Sequence, residues 1–133
     1  MLVTYCLDTN VIVRALRGTS LTFRNRLKDE APENIMIPEM VRAELLTGAL
    51  KSAHFKKNLE LVNQFLEPFF CLPFGSDAAE HYAEIRAKLE KSGKRIGPND
   101  LIIAATVRAS GACLITENLR EFKRVPGLRC ESW

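Results

Sequence analysis

No stretch of this 133-residue chain comes near the ~20 consecutive apolar residues that a membrane-crossing helix requires, so bilayer-spanning functions drop out at once. The opening MLVTYCLDTN has neither a basic n-region nor a small-residue cleavage site. No secretion signal is read there, and the cytoplasm is the expected compartment. C-x-x-C pairs are missing too: Cys6, Cys71, Cys113 and Cys130 lie far apart, three of them in short apolar runs, which favours reduced core thiols over zinc ligands or disulfides. His54 and His81 are the two histidines, and both fall on expected helix surfaces as solvated residues. Net charge is small as well. Nineteen basic against sixteen acidic residues leave a formal +3, a slight lean toward a polyanionic partner and nothing stronger. Repeats, low-complexity tracts and linkers are absent, so residues 1–133 are taken as one domain, long enough to bury roughly 68% of its unfolded surface.

What the chain does contain is an alternation of short apolar runs and helical patterns. LVTYCL reads as a buried strand, and DTN after it has the chemistry to cap a helix through VIVRAL. Ser20 could cap LTFRNRLKDE, which Pro32 closes before the strand candidate NIMI. Pro38 suits the first turn of EMVRAELLTGAL, and His54 to Leu66 reads as an amphipathic helix before FFCL. Asp77 and Glu80 resemble a capping box for a helix running to about Ser92 and stopped by Gly93. DLIIAATVRAS, the strand ACLIT, the short helix ENLREFKRV and the tail LRCESW complete the order. Short strands between long helices predict a mainly parallel sheet covered on both faces, with sites beyond its C-terminal strand edges. Asp8 and Thr116 sit at two such edges.

Three carboxylates then stand out because their segments are apolar: Asp8, Glu44 and Asp100. Glu44 shares an i, i+3, i+4 stripe with Met40, Val41, Leu45 and Gly48, and Asp100 shares one with Ile103, Ala104 and Val107. Each acid taken singly could be a cap or a dipole partner, but Asn10 and Asn99 are available for capping. Two such charges about 4 Å apart repel by roughly 4 kcal/mol at an effective dielectric of 20. A cation among them removes that cost, and oxygen-only donors suit Mg²⁺ or Mn²⁺ better than zinc. A metal-dependent phosphodiesterase is the expected chemistry.

The series LDTNV, AELLTGA, IGPNDLIIAA and LITENLREFKRVPGLRCESW spans nearly the whole chain and resembles the PIN-domain ribonucleases, and within them the VapC toxins of toxin–antitoxin pairs. The resemblance implies a three-layer α/β/α domain with a short, mainly parallel sheet. It also implies Mg²⁺ or Mn²⁺ on Asp8 and Asp100, with Glu44 completing the acidic pocket. Many PIN domains carry a fourth acid where this chain has Asn118. Glu121 is the nearest substitute, Glu117 a solvated neighbour, and Thr116 a hydroxyl able to support a carboxylate or a bound water. The implied activity is endonucleolytic cleavage of RNA, tRNA among the candidates, leaving 5′-phosphate and 3′-hydroxyl ends. A homodimer and a small cognate antitoxin are the implied partners. Arg14, Arg17, Lys94 and Arg95 flank the acid-bearing segments and are the candidate RNA contacts, positioning a strand without reading it.

Two other readings compete. A catalytically silent PIN-like module binding RNA or protein would share the fold, although a polyanion-binding surface has little use for an inward acidic pocket. An aspartate-based phosphotransferase of haloacid-dehalogenase type needs a second aspartate where Asn10 stands. A receiver domain needs a lysine after a late strand where Glu117 stands.

Overall fold

The computed structural model describes residues 3–133. Five short strands, β1 (Tyr5–Leu7), β2 (Ile35–Pro38), β3 (Phe70–Leu72), β4 (Cys113–Ile115) and β5 (Arg129–Glu131), form one all-parallel sheet in the order β3-β2-β1-β4-β5. Between them run α1 (Thr9–Leu16), α2 (Leu21–Lys28), α3 (Glu39–Lys51), α4 (Phe55–Leu66), α5 (Ser76–Ser92), α6 (Pro98–Ser110) and α7 (Leu119–Phe122). This is the expected α/β architecture with helices layered over a central parallel sheet. The middle strands are apolar throughout, not alternating, because both faces are covered: Cys6 and Leu7 of β1 and all of β4 are buried.

Local chemistry explains the element ends, with some departures from expectation. Gly93 and Gly111 take left-handed φ values of 71° and 76° and stop α5 and α6 as read. LVTYCL contracts to Tyr5–Leu7, and Leu2 lies outside the described residues. Pro38 ends β2 and occupies the N-cap of α3 instead of its first turn. Ser20 holds the N-cap position of α2 without a side-chain capping bond. The capping box does not form: Gly75 is the N-cap of α5, and Asp77 lies within the first turn, where the helix dipole favours its charge. His81 is more than solvated, since its Nδ1 accepts from Arg108 Nε at 2.8 Å and so joins α5 to α6.

All four cysteines are free, and each sits in a strand. Burial pushes the Cys6 thiol up to about 12, leaving an inert apolar filler. The C-terminus is held by aromatic packing, with Trp133 edge-on to Tyr5 at 4.9 Å between ring centroids and Arg26 stacked over Trp133 at 4.6 Å.

Candidate active site

The strand order fixes where a site can form. The chain lays β1, β2 and β3 outward in one direction, then returns to place β4 and β5 on the other side of β1. The direction reverses between β1 and β4, and the connections leaving those two strands diverge there and open a crevice. Asp8 and Thr116 are the residues that follow these strands, and both are buried. The Asp8 N–H donates to the Ile115 carbonyl at 2.9 Å, so the ladder continues to the edge of the crevice.

Asp8 is the N-cap of α1. Its Oδ1 accepts from the Thr9 N–H at 2.8 Å, and its Oδ2 accepts from the Thr116 hydroxyl at 2.7 Å. Asn10 lies inside α1 and leaves the capping to Asp8, so the spare-cap argument fails for this acid, although Asp8 also faces the crevice. Thr116 Oγ1 in turn accepts from the Asn118 N–H at 3.0 Å. Burial raises the Asp8 carboxyl above its ordinary range against these hydrogen bonds, with Glu44 and Glu121 adding like charge.

Glu44 arrives from the middle of α3 and meets the Thr9 hydroxyl, which donates to its Oε1 at 2.6 Å. Asn99 Nδ2 reaches its other oxygen at 3.4 Å. Thr9 therefore touches two acids at once, one through its backbone and one through its hydroxyl. Neither Thr9 nor Asn99 stood out in the sequence as a site residue; their position beside Asp8 and Asp100 in DTN and PND was the available signal.

Asp100 comes from the first turn of α6, and its carboxyl is pushed up to about 6 by burial and then by Asp8, Glu121 and Glu44. Glu121 comes from α7, where the Gly97 N–H and Asn118 Nδ2 donate to its two oxygens at 2.9 and 2.7 Å and lower its pKa. A Cβ at Gly97 would lie 3.6 Å from Asp100 Oδ2 and 3.9 Å from Glu121 Oε1, so the backbone of residue 97 runs between these acids. Four elements, β1 with its following residue, α3, α6 and α7, thus bring four carboxylates within electrostatic reach of one another.

These carboxylates are spread over separate donors: among the described residues, no three His, Cys, Asp or Glu side chains converge as a metal-holding group. The donor chemistry nevertheless fits a hard cation, being all oxygen and short of positive charge. Asp100 Oδ2 and Glu121 Oε1 both lie within 4 Å of the Gly97 Cβ position, two carboxylate oxygens on one short stretch of backbone.

A stability consequence follows from Asp100. Its folded-state pKa of about 6 exceeds the ordinary 3.8, so between those values the folded state binds more protons than the unfolded one. The ionisation cost is absent below about pH 3.8, grows as pH rises, and is complete above about 6. With EDTA present, the melting temperature of Asp100→Asn minus that of wild type should therefore increase from pH 4 to pH 6.5. A constant difference across this range would contradict the coupling.

The four basic candidates occupy different positions. Arg14 is committed to Glu117, donating to both of its oxygens at 2.8 Å, so it is not a free cation and Glu117 is not merely solvated. Arg17, Lys94 and Arg95 are exposed. Arg17 lies just after α1, on the Glu44 side, while Lys94 and Arg95 precede Gly97 on the Glu121 side.

Comparison with known proteins agrees with this geometry. The PIN domain family model matches residues 5–128. The chain belongs to the PIN-domain family. Ribonuclease VapC2 of Haemophilus influenzae is 37% identical over 129 residues, covering 97% of each chain, which places this chain in the VapC branch. The tRNA(fMet)-specific endonuclease VapC of Shigella flexneri is 34% identical with the same coverage. In the crystal structure of VapBC2 from Rickettsia felis bound to a promoter DNA fragment, the matching chain superposes with a TM-score of 0.92 at 37% identity over 98% of both chains. The parallel sheet and its helices are thus those of a PIN domain, and nearly the whole length of each relative is matched.

Proposed function

We propose that this PIN-domain chain is the ribonuclease toxin of a toxin–antitoxin pair, cutting RNA through an acidic site that takes Mg²⁺ or Mn²⁺. The observation that carries the reading is the gathering of Asp8, Glu44, Asp100 and Glu121 at the β1/β4 switch point of a chain whose near-full-length relatives are named ribonucleases. Asp8 and Asp100 would hold the ion, with Glu44 and Glu121 beside it and Thr116 and Asn118 as supports. When bound, a divalent ion supplies charge for the scissile phosphate and acidifies an attacking water.

The chain's own contribution is orientation and charge. Thr116 and the Thr9 N–H hold Asp8 from both oxygens, while Gly97 and Asn118 do the same for Glu121. Carboxylates fixed by outer partners bind metal in one pose, which such partners typically improve by roughly 10- to 100-fold. Thr9 should matter on these grounds: Thr9→Val deprives Glu44 of its 2.6 Å donor, whereas Thr9→Ser keeps it. The expected result is Mn²⁺ affinity about 10-fold weaker for the valine variant and near wild type for serine, measured by calorimetry without RNA. Equal affinities for all three proteins would remove Thr9 from the site.

Residues 1–133 act as one domain in this reading, in the cytoplasm. The solved neighbours include VapBC assemblies, among them a VapBC toxin–antitoxin member from Mycobacterium tuberculosis, and a cognate antitoxin is proposed here by that likeness. A homodimer and an RNA substrate, tRNA included, complete the proposal. Purified protein should cleave a broad RNA pool with Mg²⁺ or Mn²⁺ and not with EDTA. If the pool stays intact with either metal, the silent binding module replaces the enzyme.

A further inference from the structure

A second concavity lies behind the loop that anchors Glu121. Its floor is apolar, made by Leu89 of α5 and Leu101 of α6 with Ile96 and Pro98 between them, and Tyr82 and Arg95 stand at its sides. Leu89 and Leu101 are buried, so the floor is continuous with the core. The Tyr82 ring is held in place by Phe74 edge-on at 6.0 Å and by Arg86, whose guanidinium lies over one face at 6.0 Å from the centroid while its Nη1 donates to the tyrosine hydroxyl at 3.2 Å. An aromatic ring with a fixed orientation beside an apolar floor is what a flat heterocycle can stack on.

The charge around this cleft is mostly positive. Lys94 and Arg95 are exposed and enter no ion pair among the described residues. Arg124 comes from beyond α7 and donates to the Arg95 carbonyl at 3.0 Å, adding a third cation to the same loop. Glu90 is the acid on the rim, and Arg86 reaches it at 3.4 Å. An occupant with negative charge and an apolar, planar part matches this combination.

The cleft is also joined to the carboxylates by backbone. Ile96 and Pro98 line it, and Gly97 between them donates to Glu121 at 2.9 Å. The loop from Ile96 to Pro98 therefore borders the cleft and anchors an acid of the crevice at the same time.

We infer that the α5/α6 cleft is a nucleotide subsite for the RNA, with Tyr82 stacking one unpaired base and Arg95 meeting an adjacent phosphate. The inference rests on the ribonuclease reading and adds to it the place where a base beside the cut is held. Specificity for unpaired RNA follows, because a base stacked in a duplex has no face free to lie on the Tyr82 ring.

The test measures binding of a fluorescein-labelled single-stranded RNA of mixed sequence by anisotropy in EDTA, and cleavage of the same RNA with Mn²⁺. Tyr82→Leu keeps apolar volume and removes the stacking face; Arg95→Ala alters an exposed side chain with no fold at stake. Tyr82→Leu should weaken binding roughly 10-fold. Arg95→Ala should weaken it and reduce the slope of log affinity against log salt by about 0.7. In cleavage both should raise KM more than they lower kcat. Wild-type binding by both variants, or a loss confined to Arg95→Ala, would overturn the subsite. If wild type cuts and the variants match it, only the subsite falls; if wild type never cuts with either metal, the ribonuclease reading itself has failed.

Discussion

Asp8→Asn should abolish RNA cleavage while leaving the protein folded, a drop on the order of 100-fold or more at saturating Mn²⁺. The fold should survive because both contacts can be kept, the one to Thr116 with its direction reversed, and the lost acceptor for the Thr116 proton is offset by removal of a buried charge. The amide oxygen can still accept from the Thr9 N–H, and the new NH₂ can donate to Thr116 Oγ1, which has a lone pair left beside the bond it accepts from Asn118. The charge disappears, and with it the desolvation and the repulsion from Glu44 and Glu121 that raise the Asp8 carboxyl. Without metal, the variant should melt at the same temperature as wild type or above it. Cleavage assays paired with thermal melts decide the matter. A variant that unfolds would reduce Asp8 to a helix cap, and one that keeps cutting would remove it from the chemistry.

The second large effect is on stability. Phe122 is wholly buried, yet it belongs to α7, a helix of only four residues that has no stability of its own. The ring anchors that turn in the core, and the preceding Glu121 is carried into the crevice with it. Phe122→Ala should cost about 3–5 kcal/mol and lower the melting temperature by roughly 10 °C or more. Phe122→Leu fills most of the space and should cost much less. The site should feel the difference: Mn²⁺ affinity should be nearer wild type for the leucine variant than for the alanine one. A melting temperature within about 2 °C of wild type for Phe122→Ala would contradict the anchoring role.

Much of the architecture was legible because its causes are local. ACLIT and LVTYCL are short, largely apolar runs of strand length, each followed by polar residues, and each contains a central strand. Gly93 and Gly111 end helices by a backbone conformation that side chains disfavour, so their effect is readable from one residue. The misread ends have equally local causes. Asp77 and Glu80 had capping-box spacing, but Gly75 entered the helix two residues earlier. Boundaries of this kind depend on which of several neighbouring residues the chain's entry angle selects.

The candidate site divides along the same line. Asp8, Glu44 and Asp100 were visible as charges inside apolar patterns, and Glu121 as an acid one turn beyond Asn118. Their partners were not visible. The Thr9–Glu44 bond joins residues 35 apart in sequence, Gly97–Glu121 joins residues 24 apart, and Arg14–Glu117 joins residues 103 apart. No periodicity records such pairs.

The order of residues alone determined that this chain forms alternating strands and helices, places Asp8 and Thr116 at strand ends, and turns two further acids toward an apolar face. Hydrophobic period and turn chemistry act within a few residues, and they suffice for that. Tertiary structure decided which strands became neighbours, and so that β1 and β4 would flank the crevice. It also decided that Glu121 would be held by a glycine amide and that Arg14 would be paired instead of free. These outcomes depend on how helices pack across the sheet, where distances are set by the burial of many side chains together and not by any one segment.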